Sequence, residues 1–109
     1  MLTRDLILSA PSTPKPVDVP EWGGQVFVRM MTGTERMRYE EYGKTNPEAL
    51  LAAVTLCFTV CNEAGDLLFT EADIPALQAK PMPVLYRVHA EAEKLNRLKA
   101  RDIEAAAGE

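Results

Sequence analysis

A chain of 109 residues with a formal net charge of -4 suits one small domain around one core. It argues against nucleic acid as the main partner, because that binding rests on Lys and Arg neutralising phosphates. Hydrophobic residues make up 47% and charged residues 26%, which is ordinary for a soluble protein.

No apolar run approaches the roughly 20 residues that cross a bilayer. The N-terminal MLTRDLILSA is interrupted by Asp5 and is too short for a secretory apolar region. No membrane association is expected, and the expected location is cytoplasmic.

Thr3 is placed to cap a short helix over Arg4 to Ala10, with Leu6 and Ile7 as its apolar contacts. PSTPKP, Pro11 to Pro16, stops that helix and holds the chain extended, as a stiff connector rather than a peptide ligand for an SH3-like groove. Val17, Asp18 and Val19 alternate, and so do Gln25 to Arg29. With Pro20-Glu21-Trp22-Gly23-Gly24 between them they predict a β-hairpin. Val26 and Val28 then face one side and Phe27 the other, while Gly23-Gly24 supplies positive φ at the turn. The glycine pair lacks the further Gly and the Lys-Ser/Thr of a phosphate-binding loop.

Thr32-Gly33-Thr34-Glu35 has the spacing of a capping box. The helix it opens runs through Arg36, Met37, Tyr39 and Glu40 to about Tyr42, with Gly43 as the terminator. Asn46-Pro47-Glu48 restarts a helix, Asn46 as cap and Pro47 in the first turn. The following ALLAAVTLCFTVC carries two periods. Val54, Leu56, Phe58 and Val60 alternate as in a strand, whereas Leu50, Val54, Cys57, Phe58 and Cys61 recur at helical spacing. The cap before it and its length favour a helix, and one apolar nearly all round belongs at the centre of the fold. Cys57 and Cys61 would share a face of it, as buried structural thiols rather than a disulfide, redox or metal pair. The lone His89 is too distant in sequence to complete the four ligands of a zinc site.

Asn62 to Asp66 reads as a turn, without the alternating acids of a calcium loop. Leu67-Leu68-Phe69 is a brief extended anchor. Thr70 caps again with Asp73 at the capping-box position, and a short helix reaches Ala79. Pro81 and Pro83 open the last helix, Met82 to about Lys99. Leu85, Val88, Ala92, Leu95 and Leu98 form its apolar stripe, with Arg87, Glu91 and Lys94 on other faces. The expectation is a single α+β domain, mostly helical, with a short N-terminal β-hairpin. An arm and connector occupy 1–16, the core 17–99 and a frayed tail 100–109.

Nothing in the chain assembles a catalytic site. There is no nucleophile elbow, no His–carboxylate pair at a useful spacing and no dinucleotide fingerprint. The acids at Glu40-Glu41, Glu71, Asp73, Glu91 and Glu93 fall on helices or caps, where solvation and the helix dipole account for them. His89 reads as a surface or half-buried helix residue rather than a general base. No catalytic, metal-binding or cofactor-binding residue is expected, no cofactor, and no enzymatic activity.

The order of the segments carries more than any one of them. The N-terminal helix is followed by VDVPEWGG, a VFVR strand, a TGTER helix start and the apolar helix. Then come NEAGDLLFTEADI, an ALQAKP connector and a helix ending in KLNRL. Together these resemble the tail assembly chaperones of long-tailed, siphovirus-type bacteriophages and prophages, over about Thr3 to Leu98. Trp22 to Glu35 and Gly65 to Ile74 carry most of the likeness, with Leu95-Asn96 in support.

The resemblance implies a non-enzymatic assembly factor of the host cytoplasm, absent from the mature virion. Such a protein binds the tape measure protein, keeps it soluble and helps recruit tail tube subunits. In many relatives a ribosomal frameshift adds an extension that contacts the tube protein, and this chain would correspond to the shorter form. Coating a long client in many copies also implies self-association. Trp22, Met30, Met31, Met37, Leu85, Val88 and Leu95 are the candidate partner contacts. Methionines repack easily against varied partners, although core packing is the simpler reading of the methionines and of the last helix's stripe. A structural tail or head–tail connector protein of the virion is the alternative; it would persist in mature particles.

Overall fold

The computed structural model describes residues 1–97. The hairpin forms where the alternation predicts, from β1 (Lys15–Val19) and β2 (Gly24–Val28), paired antiparallel from Lys15 opposite Val28 to Val19 opposite Gly24. Val17, Val19 and Val28 point into the core, whereas Asp18 faces outward and accepts a 2.8 Å hydrogen bond from Gln25 Nε2. The connector therefore gives way to strand at Lys15. Pro16 is tolerated within β1 because that strand is an edge of the sheet. A 3₁₀ turn, Pro20–Trp22, joins the strands. Of the two glycines only Gly23 takes a positive φ, +82°, with its N–H donated to Pro20 O at 3.0 Å.

A third strand completes the sheet. β3 (Val60–Cys61) pairs antiparallel with β2, Val60 opposite Val28 and Cys61 opposite Phe27. The helical period of the apolar segment holds over α3 (Leu51–Thr59), which takes in Val54, Leu56 and Phe58; only Val60 and Cys61 turn extended and join the sheet. The Asn62–Asp66 turn follows as expected, with Gly65 at φ +94° and the Asp66 N–H donated to Asn62 Oδ1 at 3.0 Å. Leu67 then bridges back to Cys61.

α2 (Gly33–Thr45) opens on the capping box read from the sequence. Thr32 Oγ1 accepts the Glu35 N–H at 3.1 Å and the Glu35 carboxylate accepts the Thr32 N–H at 2.9 Å. It does not stop at Gly43. The helix continues to Thr45, and Asn46 closes it, donating both its backbone N–H (2.9 Å) and its side-chain amide (3.1 Å) to Tyr42 O. Asn46 therefore ends α2 instead of capping the next helix. Pro47 disfavours helical backbone at the residue before it, and α3 begins only at Leu51, the Leu50 N–H being donated to Gln78 Oε1 at 2.8 Å. A methyl group at Gly43 meets nothing within 4 Å. Gly43→Ala should therefore raise stability by about 0.5–1 kcal/mol through the unfolded chain's entropy. Thermal unfolding checks this, and a lowered Tm contradicts a helix through residue 43.

The core gathers on α3, whose residues from Ala52 to Thr59 are all buried. α4 (Ile74–Gln78) supplies Ile74 and Leu77, and α5 (Met82–Asn96) supplies Val84, Leu85, Val88 and Ala92. Thr70 and Asp73 lead into α4 as expected, the Thr70 N–H donated to Asp73 Oδ2 at 2.9 Å. The core threonines are paired: Tyr39 Oη lies 3.0 Å from Thr55 Oγ1, and the Thr59 hydroxyl donates to Thr55 O at 2.7 Å. Tyr39 also meets Phe58 edge to face at 5.9 Å. Cys57 and Cys61 are free and buried. Cys61 stands on β3, so the two share no helix face. Burial pushes the Cys57 thiol up to about 11 and raises that of Cys61, which leaves both as unreactive thiols.

α1 (Arg4–Ser9) is capped by Thr3, whose Oγ1 accepts the Leu6 N–H at 3.3 Å. Leu6 and Ile7 do not find the contacts expected of them. No residue of α1 is buried, and both side chains stay exposed. At the other end α5 is closed by Arg97 in the left-handed conformation, φ 55°. Leu98 and Lys99 of the expected last helix, and the expected frayed tail, lie outside the described residues. Among the described residues no helix is long and apolar enough to cross a membrane.

Candidate partner-binding surface

The junction from β2 into α2 is braced from two sides. Arg29 follows β2 and donates its N–H to Thr59 O at 3.0 Å. Its guanidinium grips Glu35 with two bonds, 3.1 and 2.7 Å, in a partly buried setting. Burial works to raise the Glu35 carboxyl, but the bonds from Arg29 and from the Thr32 N–H outweigh it and hold it below its ordinary value. From the other side comes Asn96. Its Oδ1 accepts the Met31 N–H at 2.7 Å, and its Nδ2 donates to Arg29 O at 3.2 Å and to Ala92 O at 3.0 Å. Its backbone oxygen accepts from Arg36 at 3.2 Å. The last turn of α5 is thereby tied to Arg29, Met31 and the start of α2.

That brace decides where the candidate residues lie. Met31 and Leu95 are brought to the same end of α5, partly buried against the core. Met30 beside them is 49% exposed, and Met37, one turn along α2, is 74% exposed. Leu85 and Val88 are both 0% exposed. Both lie in the core, on the face of α5 that packs against α3. Trp22 stands apart from the methionines, partly buried on the hairpin turn.

Trp22 forms one wall of a groove of about 290 Å³ whose other apolar walls are Phe69, Ala76 and Leu77, with Asp73 and Lys80 at its edges. A smaller groove of about 250 Å³ opens between α2 and α3, beside Tyr39, Gly43, Ala49 and Leu51. Phe69, Ala76 and Leu77 carry no signal of a surface site in the sequence, since their residue types and spacing read equally as a helix edge and its anchor.

The hairpin turn is held on α5 by Glu21, whose carboxylate takes two bonds from Arg87 at 2.5 and 2.6 Å. Those bonds lower the Glu21 carboxyl from its ordinary 4.5 to about 2. A depressed carboxyl contributes stability above its unfolded value and loses it as pH falls through the folded one. The clamp on the Trp22 turn should therefore release between about pH 4.5 and 2. Glu71, gripped by Arg38 at 2.8 and 2.6 Å, and Glu91, bonded by Lys15, are shifted in the same direction. Glu21→Gln should flatten its share of that acid limb, read as Trp22 fluorescence against pH. A variant that tracks the parent through the window contradicts the assignment.

His89 is buried rather than half exposed, with Nε2 3.3 Å from Glu93. Among the described residues no group of three or more His, Cys, Asp or Glu is placed to hold a metal ion.

The solved structure of the bacteriophage HK97 tail assembly chaperone matches this architecture with a TM-score of 0.63, covering 84% of this chain and 94% of that one. The chain has the fold of that chaperone. At 22% identity the likeness establishes the fold, in agreement with the resemblance read from the segment order, and the activity has to be argued from the surface. No protein-family model and no curated protein matches the chain.

Proposed function

We propose that this protein is a phage tail assembly chaperone. In this reading it binds the tape measure protein in the host cytoplasm, keeps that long apolar client soluble, helps recruit tail tube subunits and is left out of the mature virion. The observation that carries the reading is the fold shared with the HK97 tail assembly chaperone over 84% of the chain. Met30 and Met37 support it: flexible, polarisable side chains stand exposed on a braced junction, and such side chains adapt to a client of varied sequence. Many weak contacts of this kind along one long client gain strength through avidity. Met31, Leu95 and Trp22, each partly buried, complete the proposed contact set. Contact with the tube protein falls mainly to a frameshift-extended product.

Co-expression tests the reading. The tape measure protein of the same phage, insoluble alone, should become soluble and co-purify with this chain. Met30→Glu with Met37→Glu should fold normally, since both sites are exposed, yet lose most of that solubilisation. An unchanged client fraction with abundant folded protein, or stoichiometric recovery of the chain in purified virions, contradicts the proposal.

A further inference from the structure

The groove beside Trp22 is apolar along its walls, Trp22, Phe69, Ala76 and Leu77, and oppositely charged at its ends. Asp73 stands just before α4 and Lys80 just after it. Among the described residues neither enters an ion pair. Asp73 accepts only from Thr70, from its N–H at 2.9 Å and its hydroxyl at 3.3 Å. We propose that this groove binds a helical segment of the client polypeptide, through one large apolar side chain flanked by a basic and an acidic residue. The proposal rests on the client reading above and adds the recognition chemistry of one contact.

Size and backbone narrow the occupant. About 290 Å³ lies at the bottom of the roughly 300–1,000 Å³ range of small-molecule pockets, and suits the anchoring side chain of a polypeptide. The Trp22 wall is set before any partner arrives, since two bonds from Arg87 hold Glu21 beside it. A preorganised tryptophan wall is a frequent seat of binding energy. In the α4 wall the Ala76 and Leu77 carbonyls are already taken by the N–H groups of Ala79 and Lys80, at 3.2 and 3.0 Å. A strand laid along that wall gains no ladder and buries peptide groups without partners. A helix satisfies its own.

Charge fixes the pattern. Asp73 and Lys80 are seven positions apart, roughly 10 Å along a helix axis at 1.5 Å per residue. Their match on a partner helix is a basic and an acidic side chain two turns apart, with an apolar one between them on the same face. Either direction of that helix satisfies both ends. A helix with like charges at the two places sets one repulsion against one attraction, which is how charge selects a partner at a groove's rim.

Trp22 is the only tryptophan, so its fluorescence reads the groove directly. The probes are two synthetic helical peptides, each with one Phe anchor. One carries Lys and Glu about two turns apart around the anchor, the other Lys at both places. The first should shift the Trp22 emission of the parent chain and bind at least about fivefold tighter than its twin at low salt. Lys80→Glu, at an exposed site, should invert that preference. Ala76→Arg, also at an exposed site, should abolish both responses and weaken the co-purified complex with the tape measure protein about tenfold, with circular dichroism unchanged. Unmoved Trp22 emission, or equal affinity for the two peptides in both chains, overturns the proposal. So does a complex that tolerates Ala76→Arg while Met30→Glu with Met37→Glu disrupts it, a result that leaves the chaperone reading standing. Peptide binding as expected with no tape measure complex in the parent sinks the chaperone reading, and this occupant with it.

Discussion

Leu85→Ala should lower the unfolding free energy by about 2–5 kcal/mol, the range for emptying a fully buried leucine site. Leu85 is entirely out of solvent on the face of α5 that covers α3, among Val84, Val88 and Ala92. α3 is buried from Ala52 to Thr59, so its residues have little freedom to collapse into the space left behind. A domain of this size holds about 5–15 kcal/mol in all, and the loss should show as a large drop in the urea midpoint. The contrast with Met37 makes the result informative. Met37→Ala, 74% exposed, should leave the unfolding free energy within about 0.5 kcal/mol of the parent. Were Leu85 a partner contact, the two would exchange roles, so an unchanged midpoint for Leu85→Ala contradicts the placement of the α5 stripe.

Asn96→Ala should cost about 2 kcal/mol, with a local consequence out of proportion to its size. Truncation removes the acceptor of the Met31 N–H and the donor to Arg29 O together, and groups left unpaired in a partly buried setting lose about 1–3 kcal/mol each where water cannot replace the bond. Water reaches part of this site, which puts the expectation toward the lower end. The Met31 amide should exchange with solvent at least about tenfold faster once its partner is gone. Asn96→Asp gives the control: it keeps an acceptor for Met31 and loses only the donor, so Met31 should stay the better protected of the two variants. Equal protection of Met31 in the parent and in Asn96→Ala contradicts the brace.

What the sequence made legible was local. Thr3, the Thr32–Glu35 box and the Thr70–Asp73 pair were readable because a cap is decided within four residues. The hairpin followed from alternation and from Gly23. The misplaced features depend on contacts that a cap pattern does not contain, most of them with distant neighbours. Gly43 stays helical because the turn after it is closed by Asn46 on Tyr42. Val60 leaves the helix because Val28 offers an edge to pair with, thirty-odd residues upstream. Leu6 and Ile7 look like core-facing residues, and only their exposure in the fold shows that the core is not beneath them.

The exposure of the candidate residues was legible in the same partial way. Methionine content near the hairpin pointed to Met30 and Met37, and both are exposed. Leu85 and Val88 followed the same apolar logic into the core, because a stripe at helical spacing does not say which body it faces. The Trp22 groove was half visible: the tryptophan stood out, but its other walls come from segments about fifty residues on.

The most direct test of the proposed client face is methyl NMR of the chain, with ¹³C-methyl methionine, in its co-purified complex with the tape measure protein. The methyl signals of Met30, Met31 and Met37 should shift and broaden on complex formation, while that of Met82, at the start of α5, keeps its free position. Unmoved signals at all three junction methionines within a stable complex would contradict the account.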